Sequence, residues 1–178
     1  HKVNRVKRII VSTYQAVSGA GAWGLYELEQ QQRSFAAGGE IRREKFPHTI
    51  FNNVFSHNTR IAANGYNEEE NKLVGETRKI FNDPRIMISA TCIRVPVPRA
   101  HSESINLEFQ QPITPKEVRE ILSRAPGVRI VDDVDSNHFP MPLEASGQDD
   151  VLVGRIRQDI SRDYRRGIDL VVSCGQIR

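Results

Sequence analysis

One arginine stands in a stretch of the sequence that is otherwise uncharged. Residues 86–97 are rich in β-branched and apolar side chains, which is typical of a strand, and Arg94 is their only charged residue. A guanidinium in such a strand must meet an anion or reach solvent. Its planar fork is suited to holding a carboxylate through two hydrogen bonds, and a structural ion pair is the alternative.

A histidine and a charged pair extend the set of residues that could act on a small ionic ligand. His101 follows Arg94 by seven positions, and we expect a loop after two prolines to bring its imidazole back toward the arginine. Imidazole exchanges protons near neutral pH, which suits acid–base chemistry. Glu69 and Lys72 lie one helical turn apart and offer a carboxylate and an ammonium group to a zwitterionic or phosphorylated ligand. The alternatives are a solvated histidine and a solvated helix face.

Gln15 lies just before a turn with two glycines, within residues 18–21. Glycine lets the backbone turn sharply or approach another group closely, so a ligand could bind beside the Gln15 amide. The spacing matches neither the dinucleotide-binding fingerprint nor the phosphate-binding P-loop, and an ordinary strand-to-helix turn is the alternative. For Cys92 and Cys174, which lie in apolar surroundings, we favour a packing role over a nucleophilic one.

Hydrophobic patterning predicts the elements that carry these residues. Residues 6–14 predict a strand that leads to Gln15, and residues 22–32 predict a helix. That helix offers four large side chains to a core: Trp23, Leu25, Tyr26 and Leu28. Residues 33–45 are polar and contain a pair of glycines, which indicates a surface loop.

Two further helices are predicted from their capping signals. Asn67, with Glu70 three positions on, predicts the start of a helix over residues 68–81. Its apolar side would consist of five residues: Leu73, Val74, Thr77, Ile80 and Phe81. Glu69 and Lys72 lie on the opposite side. Thr114 begins a second capping box, for a helix that ends before residue 126.

The remaining patterns are those of strands, at residues 104–109, 128–131, 151–156 and 168–173. Strands therefore outnumber helices and do not alternate strictly with them. This predicts an α+β fold with a mixed, largely antiparallel sheet and helices packed on it. A length of 178 residues suits one such domain.

Composition argues against several classes of partner. Lys and Arg number 25 against 22 Asp and Glu, a net charge of +3, and the basic residues are scattered without interleaved aromatic residues, so we expect no nucleic acid. No apolar run approaches the ~20 residues of a membrane span, and no signal peptide is evident, so we expect a soluble protein. Two distant cysteines predict neither a disulfide framework nor a metal site. Strand-like segments at both ends indicate part of a longer protein.

Several of these segments, in this order, resemble aspartate-semialdehyde dehydrogenase. The resemblance is carried by residues 11–21 (VSTYQAVSGAG) and 94–104 (RVPVPRAHSES), and it extends to residues 69–72 (EENK) and 150–157 (DVLVGRIR). It covers nearly the whole chain, and residues 1–178 correspond to the family's second domain, which binds substrate and forms the dimer. The resemblance implies a fold similar to the carboxyl-terminal domain of glyceraldehyde-3-phosphate dehydrogenase.

The resemblance also implies a reaction. The family converts L-aspartyl 4-phosphate to L-aspartate 4-semialdehyde with NADP as the cofactor, in lysine, threonine and methionine biosynthesis. The reaction passes through a thioester on a cysteine in an Asn-Cys motif. This sequence contains neither that motif nor the nucleotide-binding domain, so we expect the chain alone to be inactive.

Position by position, the resemblance implies roles for individual residues. Gln15 would orient the substrate, and Arg94 would bind its α-carboxylate. His101 would be the acid–base group, accepting the thiol proton and assisting collapse of the tetrahedral intermediate. Glu69 would bind the substrate amino group and Lys72 the phosphate. Contacts with the cofactor are expected from three further residues: Ser18, Gly19 and Gln176.

Two alternatives stay open. The chain could be a homodimeric structural module without activity, or it could belong to the related N-acetylglutamyl-phosphate reductase. The second shares the thioester chemistry, but an acylated amine would not need Glu69. Under the favoured interpretation the partners are a small-molecule substrate and a second copy of the chain, with no metal. We expect the cytoplasm, or the plastid stroma if the source is a photosynthetic eukaryote.

Overall fold

Seven strands form a single sheet in the computed structural model, which describes residues 1–161 and 165–175. The strands are β1 (Val6–Gln15), β2 (Phe55–Ser56), β3 (Met87–Arg94), β4 (His101–Phe109), β5 (Val128–Ile130), β6 (Val151–Gln158) and β7 (Gly167–Cys174). The helices of the described residues are α1 (Ala22–Ala36), α2 (Glu68–Phe81), α3 (Pro115–Leu122) and α4 (Pro142–Ala145), and a 3-10 turn at Val17–Ala20 follows β1.

The sheet is mixed, with the strand order β2-β3-β1-β4-β7-β6-β5. The pairs β1–β3 and β5–β6 are parallel, and the other four are antiparallel. The prediction of an α+β fold with a largely antiparallel sheet is confirmed. A parallel pair needs a crossover connection, and the chain makes it between β1 and β3 through α1 and α2. The carboxyl ends of β1 and β3 therefore lie at the same edge of the sheet.

Helices α2 and α3 pack on one face of this sheet. Because side chains alternate along a strand, Ile9 and Val11 of β1 share this face, and Ala90 of β3 lies beside Val11 in the register. Leu73 and Phe81 of α2 pack against the same core. Removal of this apolar surface from water is the main force that holds the helices on the sheet.

Helix α2 begins where its capping box predicts. The Asn67 side chain accepts a hydrogen bond from the Glu70 N–H at 2.8 Å, and the Glu70 carboxylate accepts one from the Asn67 N–H at 2.9 Å. The second Glu70 oxygen accepts from the Cys92 N–H of β3 at 3.0 Å, so the cap also ties the helix to the sheet. The prediction that Ile80 belongs to the apolar side is wrong. It is 81% exposed, because it lies about 100° around the helix from Phe81, which packs on the core.

Helix α1 turns a different face inward from the one predicted. Trp23 and Tyr26 are 66% and 48% exposed, so their assignment to the core is wrong, whereas Leu28 is buried as predicted. Glu27 and Gln31 are buried beside Leu28. The helix also continues to residue 36, into the segment that the sequence indicated as a loop.

The buried polar side chains of α1 satisfy the backbone of residues 42–51. One carboxylate oxygen of Glu27 accepts hydrogen bonds from the N–H groups of three successive residues: Glu44, Lys45 and Phe46. Gln31 accepts at 3.0 Å from the N–H groups of Ile50 and Phe51. The segment is therefore fixed to α1 by side-chain hydrogen bonds, which hydrophobic patterning does not reveal.

Candidate active site

Three of the predicted site residues lie side by side at one end of the sheet. Gln15, the last residue of β1, is opposite Arg94, the last residue of β3, in the parallel register. His101 begins β4, directly before the residue opposite Tyr14 of β1. All three are buried, with exposures of 6%, 2% and 8%. The loop after Arg94 returns the imidazole toward the arginine as expected, but β4 begins at His101 itself, three residues before the predicted strand.

The guanidinium of Arg94 is held by a carbonyl oxygen and a histidine ring. Its Nη1 donates to the Ala16 carbonyl oxygen at 2.6 Å, and its Nη2 donates to Nε2 of His57 at 2.7 Å. The ring of Phe46 lies 5.9 Å from its central carbon. Its Nε has no hydrogen-bond partner, and among residues 1–161 and 165–175 no carboxylate forms an ion pair with it. A structural ion pair within the described chain thus does not explain this buried charge.

The ring of His101 is oriented by the backbone. Its Nδ1 accepts the Ala16 N–H at 3.0 Å. The neutral ring consequently carries its proton on Nε2. Burial, and then the positive charge of Arg94, lower the pKa of His101 from 6.5 to about 4, so the imidazole is neutral at pH 7.

Glu69 and Lys72 form the more exposed side of the site. Gln15 donates from Nε2 to a Glu69 oxygen at 3.3 Å, and Lys72 Nζ lies 3.7 Å from the other oxygen. The side chains of Glu69 and Lys72 are 27% and 57% exposed, so their ion pair is a weak one. The predicted pair on α2 is therefore brought next to Gln15, and a ligand could compete for either charge.

The glycine turn packs directly against these residues. The N–H groups of Val17 and Ser18 donate to the carbonyls of Val97 and Pro98, at 2.9 and 3.1 Å. At Gly19, a Cβ would lie 3.2 Å from Nη1 of Arg94 and 3.4 Å from the His101 ring, so a side chain there would press on both groups. Ser18 is buried at the same turn. Gln176, the third predicted cofactor contact, lies outside the described residues.

One member of the site was not found from the sequence. His57, which accepts the hydrogen bond from Arg94, follows the two-residue strand β2. Its neighbours Ser56 and Asn58 are polar, so nothing in the local pattern distinguishes it from a surface histidine. The missing signal is the pairing of β2 with the end of β3, which is a long-range contact.

The two cysteines are free thiols, and burial raises the pKa of both Cys92 and Cys174. A raised pKa lowers the thiolate fraction at neutral pH, which agrees with packing roles. The described residues contain no group of three or more side chains placed to bind a metal ion. Within the same residues, no helix has both the length and the apolar character of a membrane span.

Comparison with known proteins agrees with this fold. The family model "Semialdehyde dehydrogenase, dimerisation domain" matches residues 1–178, and the chain belongs to this family. Within it, the chain is related to aspartate-semialdehyde dehydrogenases. The enzyme of Synechocystis sp. is 51% identical over 178 residues, which are 100% of this chain and 52% of the relative. The enzyme of Aquifex aeolicus is 47% identical over 174 residues, and the match covers 97% of this chain and 51% of the relative.

A solved structure of an aspartate-semialdehyde dehydrogenase has the same fold over this domain. The crystal structure of aspartate semialdehyde dehydrogenase II complexed with ASA from Vibrio cholerae superimposes with a TM-score of 0.93 and 39% identity. The match covers 99% of this chain and 52% of that one. The chain therefore spans about half the length of the relatives that it matches.

Proposed function

We propose that this chain forms the substrate-binding and dimerisation half of an NADP-dependent aspartate-semialdehyde dehydrogenase. The reaction would be the reductive dephosphorylation of L-aspartyl 4-phosphate to L-aspartate 4-semialdehyde, in lysine, threonine and methionine biosynthesis. The observation that carries the proposal is the buried guanidinium of Arg94, which has no carboxylate partner in the described chain. A small substrate with an α-carboxylate would supply one. The family's dimerisation domain supports a homodimer, and we propose the cytoplasm or the plastid stroma as its location.

Each charge of the proposed substrate would meet a group of opposite charge. Arg94 would bind the α-carboxylate with its remaining N–H groups. Glu69 would bind the α-amino group, and Lys72 would bind the phosphate. Because Glu69 and Lys72 are partly exposed and weakly paired with each other, either can exchange its present partner for the ligand at small cost. Gln15 already donates to Glu69 and would hold it in place.

His101 would act on the reacting carbon through its Nε2 atom. In the present tautomer Nε2 carries the proton, so the ring can donate a hydrogen bond to an oxygen that gains negative charge in the transition state. Accepting the thiol proton requires Nε2 without its hydrogen. The ring reaches that tautomer only by giving up the bond from the Ala16 N–H. The present geometry therefore favours His101 as a hydrogen-bond donor to the substrate oxygen over His101 as the acceptor of the thiol proton.

The NADP cofactor would approach over the glycine turn. Ser18 and Gly19 are the described residues that we expect to contact it. The close approach of Gly19 to Arg94 and His101, where a Cβ would be in tight contact with both, fits a cofactor placed next to the reacting group. When bound, the nicotinamide would supply the hydride. The cysteine nucleophile would come from the half of the relatives that this chain does not span.

The test is an assay of the full-length enzyme, with this domain joined to its upstream half. Arg94→Ala should lose about 2 to 5 kcal/mol of transition-state stabilisation, measured as kcat/KM for aspartate semialdehyde with NADP and phosphate. The matched control is Arg129→Ala in β5, at the opposite edge of the sheet from β2. Normal turnover by the Arg94 variant would refute the site, and a preference for N-acetylglutamate semialdehyde would favour the related reductase.

A further inference from the structure

The backbone of His57 is bound to the sheet although only a two-residue strand precedes it. Its N–H donates to the Cys92 carbonyl oxygen at 2.8 Å, which continues the antiparallel pairing of β2 with β3. This pairing places the imidazole beside the end of β3, where Arg94 lies. The ring is thus positioned by the sheet and not by a flexible loop.

The ring of His57 connects two of the charged groups of the site. A guanidinium can only donate, so Nε2 accepts from Arg94, and the neutral ring carries its proton on Nδ1. Nδ1 lies 3.2 Å from the Thr59 hydroxyl oxygen and can donate to it. The same hydroxyl accepts the Glu69 N–H at 3.3 Å. A continuous series of hydrogen bonds therefore runs from Arg94 to the first turn of α2.

These hydrogen bonds leave some N–H groups of Arg94 available to bind an anion. Of the five N–H groups of a guanidinium, one on each Nη is used, by Ala16 and by His57. Three remain, and the buried Nε is among them without a partner. Two fixed hydrogen bonds on different nitrogens set the plane of the group, so its free edge has a defined direction.

We propose that His57 is a positioning residue, which fixes the guanidinium of Arg94 for the substrate carboxylate and couples it to the helix that carries Glu69. The inference rests on the proposed function, since it assumes that Arg94 binds that carboxylate. His57 does not touch the substrate. It acts through Arg94, so its removal should affect only substrates that have the carboxylate.

The charges around His57 keep its ring neutral, as this role requires. Arg94 on β3 and Lys72 on α2 disfavour a positive ring, whereas Glu69 and Glu70 on α2 favour one. His101 on β4 has a neutral ring at the same end of the sheet. The balance, dominated by burial and then by Arg94, lowers the pKa of His57 below its usual 6.5.

The experiment compares two aldehydes in the full-length enzyme. Aspartate semialdehyde carries the α-carboxylate, and 3-aminopropanal has the same amine and aldehyde without it. His57→Leu should raise KM for aspartate semialdehyde about 10- to 100-fold, the usual weight of a hydrogen bond to a charged group. With 3-aminopropanal, kcat/KM should change less than about twofold. His57→Gln should restore most of the loss, since an amide can accept from Arg94 and donate to Thr59.

His138→Leu, at a histidine that contacts Glu144 far along the chain, is the matched control. An unchanged KM for aspartate semialdehyde in His57→Leu would overturn the inference, as would equal losses on both aldehydes or no rescue by glutamine. If His57→Leu fails to fold, His57→Phe, which keeps a ring but cannot accept from Arg94, takes its place with the same expected losses. A wild-type enzyme that does not prefer aspartate semialdehyde would instead refute the proposed function.

Discussion

At the scale of single residues, the protonation of His101 follows from its place in the sheet. A ring that is buried next to a guanidinium, and whose Nδ1 accepts a backbone N–H, can gain a proton only by losing that bond. Its pKa of about 4 lies below the usual 6.5. The folded state therefore binds fewer protons than the unfolded state between these values, and this group's contribution to stability is lost as the pH falls from 6.5 toward 4.

We expect NMR of the ¹⁵N-labelled histidine rings to show this directly. One of the five rings, identified by its absence in His101→Gln, should keep the neutral Nε2–H tautomer from pH 7 to pH 5 and titrate near pH 4. Arg94→Met removes a neighbouring positive charge and should move that midpoint upward. A ring that titrates near pH 6.5, or that carries its proton on Nδ1, would contradict the assigned environment.

The same scale shows what a sequence can reveal about a site. Arg94 was identified because one charge stands out in an apolar strand. His101 and Gln15 were candidates from the prolines and glycines beside them, and the resemblance gave them roles. His57 was not identified, although it contacts Arg94, because its neighbours are as polar as it is. A residue is noticed when it contrasts with its local pattern, and the pairing that gives His57 its role joins distant segments.

At the scale of elements, some features of a helix depend on residues close in sequence and others on distant residues. The starts of α2 and α3 were predicted because a capping box is formed within four residues. The buried face of α1 was not, because Glu27 and Gln31 are buried only in the presence of residues 42–51, whose N–H groups they accept. Polar residues on a helix normally indicate a solvated face, and here tertiary hydrogen bonds override that preference.

Glu27 provides a test at this scale. Glu27→Ala should lower the free energy of unfolding by about 2 kcal/mol, because it leaves three N–H groups, of which that of Phe46 is buried, without an acceptor. Urea denaturation followed by circular dichroism measures the loss, and Glu29→Ala, an exposed position two residues on, is the control. The loss should also reach the site, because Phe46 lies against Arg94. Equal stability of the two variants would show that residues 42–51 do not depend on α1.

At the scale of the whole molecule, the helices leave part of the covered sheet face open. Between α2 and α3 runs an apolar groove, lined by sheet and helix residues: Ile9, Val11, Phe81, Ile105, Leu107, Leu122, Leu170 and Val172. Its deepest side chains, Ile9, Val11 and Leu170, are buried, and Glu103 is a charged residue in its lining. The chain spans about half the length of its relatives, and we expect the groove to be covered in the full-length enzyme.

We therefore expect the 178-residue chain to bind the hydrophobic dye ANS more strongly, per mole, than the full-length enzyme does. Leu107→Asn, within the groove, should reduce the dye fluorescence of the chain, because a polar side chain interrupts the apolar surface. The matched control is Leu143→Asn, since Leu143 is 89% exposed but stands outside the groove and should contribute little. Equal fluorescence of the chain and the full-length enzyme would mean that the groove stays open in the complete protein. Equal effects of the two substitutions would mean that the dye does not bind in the groove.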